Sequence, residues 1–131
     1  MTDKIRTASC ACGQVTVTAR GEPDRVGICH CMTCRKTTGS VLSMFAIFAQ
    51  DRVSIEGRYE CWAPGPEGKR CFCPVCGSRI FELSGEEIEI MGGAFDEPNV
   101  FEPTYESWTI RREHWLPATN LKTYPRNRGD R

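Results

Sequence analysis

With 131 residues, 17 basic and 17 acidic side chains and a pI near 6.7, the chain has no net field to draw it onto nucleic acid or an anionic membrane. Hydrophobic residues make up 40% and charged residues 26%, an ordinary globular balance, and no apolar run approaches the roughly 20 residues that span a bilayer. The start, Met1-Thr2-Asp3-Lys4, lacks the apolar core of a signal peptide, so one cytoplasmic domain over residues 1–131 is expected, with its oligomeric state left open.

The first predicted element is a strand over Gln14 to Ala19, rich in β-branched residues and placed just after the Cys12-Gly13 turn. Gly21-Glu22-Pro23-Asp24 breaks it, and Arg25 to Cys29 reads as a second short strand. Residues 31 to 39 are polar enough for one or two helical turns that stop at Gly39. Ser43 to Ala49 is apolar and Val53 to Gly57 alternates, so the two read as a hairpin joined through Gln50-Asp51-Arg52. Strand composition continues through Tyr59 to Trp62, gives way to a Pro- and Gly-dense loop at 63–68, and returns over Lys69 to Cys73. Arg79 to Leu83 and Glu87 to Met91 alternate around Ser84-Gly85-Glu86, a second hairpin signature, and 92–98 is a turn region. Residues 101 to 117 mix short strand with loop, and the basic tail of Lys122, Arg126, Arg128 and Arg131 reads as a solvated, frayed terminus. The sum is a mostly β fold.

Seven of the nine cysteines fall into three tight groups: Cys10-Ala11-Cys12, Cys29-His30-Cys31-Met32-Thr33-Cys34, and Cys73-Pro74-Val75-Cys76. Thiolates one to three residues apart can converge on one soft cation, whereas local CxC and CxxC pairs are poorly placed to staple distant parts of a fold. Reduced thiolates on metal in a reducing compartment is therefore the expected state. Cys10, Cys12, Cys73 and Cys76 supply the four sulfurs that close a tetrahedral zinc site, from two knuckles roughly sixty residues apart, and such a site is structural. Cys29, Cys31 and Cys34 supply three, leaving a fourth position for water, His30, a neighbouring side chain or an incoming thiol. That is the arrangement of a catalytic zinc. His30 is expected to point away from the ion, and His114 to be a surface or packing residue. Cys61 and Cys71 are left over, with Cys71 read as a small buried residue or spare ligand near the structural site. A thioredoxin-like role for Cys73-Pro74-Val75-Cys76 lacks the strand-then-long-helix context it needs.

Ser9-Cys10-x-Cys12-Gly13, Cys29-His30-Cys31-x-x-Cys34-Arg35 and Arg70-x-Phe72-Cys73-x-x-Cys76-Gly77-Ser78, followed by Gly93, Asp96, Phe101, Pro103 and Trp115-Leu116, resemble the glutathione-dependent formaldehyde-activating family. The likeness covers about residues 8 to 117, leaving 118–131 as a tail. It implies a β-tent of short antiparallel strands stapled by two zinc ions, one on four cysteines and one on Cys29, Cys31 and Cys34. It further implies a carbon-sulfur lyase activity, the condensation of glutathione with formaldehyde or a related small aldehyde. Glutathione carries carboxylates, and Arg35, Lys36 and Arg70 beside the metal motifs are the expected partners for them. A noncatalytic zinc-binding interaction module and a thiol or metal sensor are the alternatives.

Overall fold

The computed structural model describes residues 4–129, and Arg131 of the basic tail lies outside the described residues. Its strands are β1 (Ile5–Ser9), β2 (Thr16–Arg20), β3 (Arg25–Cys29), β4 (Ser43–Ala49), β5 (Val53–Glu56), β6 (Glu60–Trp62), β7 (Lys69–Phe72), β8 (Arg79–Ser84), β9 (Glu87–Met91), β10 (Tyr105–Ser107) and β11 (Lys122–Thr123). The helix α1 (Met32–Thr38) follows β3. The strands form a three-stranded sheet in the order β1-β2-β5 and an eight-stranded sheet in the order β11-β10-β3-β4-β9-β8-β7-β6. Pairing is antiparallel except at β10, which runs parallel to both β3 and β11 and so departs from the all-antiparallel expectation.

The two sheets share a core, because each turns one apolar face inward. Val17 and Ala19 of β2 meet Ala46 and Phe48 of β4, Phe81 of β8 and Ile88 and Ile90 of β9, all buried. Truncating a fully buried phenylalanine such as Phe48 or Phe81 to alanine would cost about 3–5 kcal/mol.

The expected hairpin of 43–49 with 53–57 does not form. β4 pairs with β3 and β9 in the large sheet, whereas β5 pairs with β2 in the small one. The reason lies in burial. β4 is covered on both faces, as its unbroken apolar run requires, while β5 buries only alternate residues and suits a sheet with one wet face. The 3-10 turn Gln50–Arg52 carries the chain from one sheet to the other. The hairpin expected at 79–91 is present as β8–β9, with Ser84 opposite Glu87. β1, hidden in sequence because Ile5-Arg6-Thr7-Ala8-Ser9 carries only one large apolar residue, is an unpredicted partner of β2.

Through residue 129 the tail is not frayed. β11 adds to β10, the Trp108 and Thr109 amides donate to the carbonyls of Arg126 and Tyr124, and the Tyr124 ring packs edge-on to Tyr105.

The outer face of the large sheet carries α1 and a second cluster of buried residues, Cys29, Cys34, Phe45, Ile47, Met91 and Tyr105. Gly27 is needed at its centre. A Cβ there would lie 2.5 Å from the Tyr105 ring, so only glycine lets β10 hold that ring against β3.

Candidate metal centres and the adjoining cavity

The four sulfurs of Cys10, Cys12, Cys73 and Cys76 all lie within 4.8 Å of one another. Cys12 Sγ is 3.7 Å from both Cys10 Sγ and Cys73 Sγ. Tetrahedral bonds of about 2.3 Å place sulfurs about 3.8 Å apart, so the cage has the dimensions of such a centre. Two short turns aim backbone amides at it. Val15 N–H donates to Cys10 Sγ at 3.2 Å, and Val75 N–H donates to Cys73 Sγ at 3.3 Å. The Ser78 hydroxyl and amide draw the Cys76 thiol down to about 5, which favours the anionic sulfur a metal requires.

The second cluster sits where β3 ends and α1 begins. Cys31 is the N-cap of α1 with extended backbone, and its Sγ accepts from Cys34 N–H at 3.3 Å, a role usually filled by Ser or Asp. Cys29 Sγ accepts from Cys31 N–H at 3.5 Å. The helix stops at Gly39, in the left-handed conformation at φ 69°, as the sequence suggested. Cys29, Cys31 and Cys34 lie within 4.8 Å of one another, and among the described residues no fourth His, Cys, Asp or Glu joins them. Three thiols this close cannot all ionise unaided. Cys31 is held well below the ordinary range by hydrogen bonds from Cys29 and Cys34, while the hydrogen bonds of Cys29 with Cys31 and Cys34, and then its burial, push Cys29 up. A cation among them removes that conflict, so both clusters can hold a metal ion.

Between Cys29 and Cys31 the His30 side chain is fully buried and turned to Glu106, with Nε2 donating to Oε1 at 2.8 Å. Glu106 Oε1 also accepts from Arg112 Nε at 3.1 Å, and Oε2 accepts from Thr119 Oγ1 at 2.5 Å. Burial works against the charge of Glu106, but hydrogen bonds from Thr119, His30 and Arg112 outweigh it and hold the carboxyl below its usual range. The His30 amide donates to Ser107 O at 3.1 Å, so β10 holds the loop between the cysteines through backbone as well as side chain.

A cavity of about 460 Å³ is lined by chain neighbours of both cysteine clusters, though by none of the seven cysteines themselves. Ser9, Ala11 and Ser78 line it on the four-cysteine side, Ser43, opposite Cys29 in the β3–β4 ladder, and Thr38 at the end of α1 line it on the other, and Arg79 adds a cation. Arg79 is 4% exposed, donates to Thr37 Oγ1 at 3.0 Å and to Glu82 Oε1 at 3.1 Å, and leaves Nε without a partner among the described residues.

Residues 5–111 match the family described as glutathione-dependent formaldehyde-activating enzyme. The chain belongs to this family. No curated protein matches it at a significant level. The family is associated with glutathione and formaldehyde chemistry, and the match takes in both cysteine clusters and the cavity.

In this member of the family none of the three cations expected to meet glutathione lines the cavity. Arg35 Nη1 donates to Arg111 O at 2.9 Å and approaches Glu113 at 3.5 Å, which fastens α1 to the C-terminal segment. Lys36 is exposed on α1. Arg70 is 3.8 Å from Glu82, in a row that crosses β7, β8, β9 and β4 as Arg70, Glu82, Glu89 and Ile47. Sequence reasoning missed Arg79, Glu89 and Glu106. Burial, then the negative charges of Glu82 and Cys34, push the Glu89 carboxyl up to about 8 against the pull of Arg79 and Arg70.

Cys61 and Cys71 correct the expectation of reduced thiols throughout. They are directly opposite on β6 and β7 with Cα atoms 4.0 Å apart, and they form a disulfide. Cys71 is buried, as expected, but is not a spare ligand. Among the described residues no helix is long and apolar enough to cross a membrane.

Proposed function

We propose that both clusters hold zinc, four-coordinate and structural on Cys10, Cys12, Cys73 and Cys76, catalytic on Cys29, Cys31 and Cys34. The reaction is the condensation of the glutathione thiol with formaldehyde or a related small aldehyde, a carbon-sulfur lyase activity in reverse, carried out in the cytoplasm by a single-domain protein. One observation carries the reading: three convergent sulfurs with no fourth protein ligand among the described residues, on segments whose neighbours Thr38 and Ser43 line a cavity with further hydroxyls and a buried arginine.

Zinc at the three-cysteine cluster supplies positive charge that favours an ionised thiol. The chain supplies the rest. Arg79, already paired with Glu82 and Glu89, is the cation that the cavity wall supplies toward a peptide carboxylate, and the hydroxyls of Ser9, Thr38, Ser43 and Ser78 are suited to the amides. Arg35, Lys36 and Arg70 remain candidates for the second carboxylate. As the new carbon-sulfur bond forms, the thiol proton must pass to the former carbonyl oxygen. Glu89, on the same face of the sheet as Ile47 and Met91 that pack with Cys34, is a carboxyl able to hold that proton near neutral pH.

The test is zinc stoichiometry together with NMR exchange between formaldehyde and its glutathione adduct. Two zinc ions per chain and accelerated exchange are expected. Exchange no faster than in buffer refutes the enzymatic reading.

A further inference from the structure

The Cys61–Cys71 disulfide lies outside the cysteine clusters and takes no part in the chemistry above. β6 is the edge strand of the large sheet, all three of its residues are exposed, and β7 is its one neighbour in the sheet. Cys61 is exposed at that edge, whereas Cys71 is 0% exposed within the core, where it belongs to the same buried cluster as Ile80 and Phe81.

The bond thus runs from solvent inward, and this decides which sulfur can react. A thiolate attacks a disulfide in line with the bond, from the side opposite the leaving sulfur. In-line approach to Cys61 comes from solvent. In-line approach to Cys71 would have to come through the core. From this geometry we propose that Cys61 is a site of reversible S-thiolation, in which a small thiol such as glutathione forms a mixed disulfide with Cys61 and releases Cys71.

In that exchange the attacking thiol gives up its proton, a new sulfur-sulfur bond forms at Cys61, the Cys61–Cys71 bond breaks, and the departing Cys71 sulfur takes up one proton. No external oxidant or reductant is consumed. The neutral thiol suits the Cys71 site, since burial disfavours its anion. The ladder keeps Cys71 opposite Cys61, so the reverse attack by Cys71 expels the small thiol and restores the clasp. While modified, β6 and the loop at 63–68 stay tied to the sheet by the β6–β7 ladder and by contacts such as Ser84 Oγ donating to Glu67 O at 2.6 Å.

The experiment uses the full chain loaded with zinc, so that the seven clustered cysteines are occupied, incubated with reduced glutathione in native buffer. Intact mass and peptide mapping should find one glutathionyl group on Cys61, with zinc content and far-UV circular dichroism unchanged. With oxidised glutathione, Cys71→Ala should be modified at Cys61, whereas Cys71 in Cys61→Ala should react at least about 100-fold more slowly, since it requires opening of the core. Two results overturn the proposal: an adduct on Cys71 in the native protein, or a rate of modification that follows global unfolding across a urea series.

Discussion

Glu106 is the most informative single residue to change. Replacing it with alanine removes the acceptor for His30, Arg112 and Thr119 at once. Thr119 is exposed and Arg112 about one-fifth exposed, so both can turn to water; His30, at 0% exposure, cannot. The largest component is therefore the desolvated His30 donor, worth about 1–3 kcal/mol, with the lost charge-assisted bond to Arg112 on top. A total of about 3–4 kcal/mol is expected, in the range for breaking a buried ion pair by deleting one partner. Glu106→Gln keeps one acceptor oxygen and should cost about half as much. Because Glu106 ionises more easily folded than unfolded, its contribution is present above the ordinary carboxyl range and lost as pH falls through its depressed folded value. The gap between wild type and Glu106→Gln should accordingly narrow in acid. His30 lies between Cys29 and Cys31, so Glu106→Ala should also speed metal release from the three-cysteine cluster by about tenfold, leaving the four-cysteine cluster unaffected. Urea melts followed by tryptophan fluorescence and chelator-driven zinc release with a metallochromic dye measure the two effects. A loss below about 1 kcal/mol, or equal acceleration of both release phases, would refute the idea that this carboxylate supports the cluster.

Gly27→Ala places a methyl 2.5 Å from the Tyr105 ring and should cost about 2 kcal/mol or more, seen as a lower urea midpoint, while a matched Gly39→Ala, which meets nothing within 4 Å but must adopt φ 69°, should cost about 1 kcal/mol. The Glu89 carboxyl, raised to about 8 in the folded chain, binds its proton more tightly folded than unfolded. Its stabilising contribution is complete below the ordinary carboxyl value and declines as pH rises toward about 8. Glu89→Gln should therefore be the more stable protein above neutral pH, on the order of 2 kcal/mol once its one-fifth solvent exposure is allowed for, and should match wild type near pH 4. Thermal melts across pH 4 to 9 decide it; a constant difference at all pH values would show that Glu89 carries its charge throughout.

The candidate metal ligands were legible in sequence because each knuckle is local: a CxC or CxxC turn converges its sulfurs whatever the rest of the chain does. The four sulfurs that close a tetrahedral site joined knuckles 61 residues apart in sequence, and the structure places Cys12 Sγ and Cys73 Sγ 3.7 Å apart. Strand periodicity exposed β2, where buried and more open residues alternate, and the Ser84-Gly85-Glu86 turn exposed the β8–β9 hairpin; periodicity failed at β4 and β5, where two adequate strands were assigned to each other although their burial suits different sheets.

Nothing local marks Glu106 as different from the other acidic residues. Its partner His30 is 76 positions away, and only the parallel pairing of β10 with β3 brings them together. Arg79 and Glu89 likewise read as wet-face residues of a hairpin until α1 and the cavity cover that face. Cys61 and Cys71 are a register effect, opposite each other because β6 and β7 meet at that step and no other. Residue type and short spacing determined which atoms can bind metal. Strand pairing decided which carboxylate is buried, which arginine lines the cavity and which two cysteines bond, since those properties depend on neighbours distant in sequence.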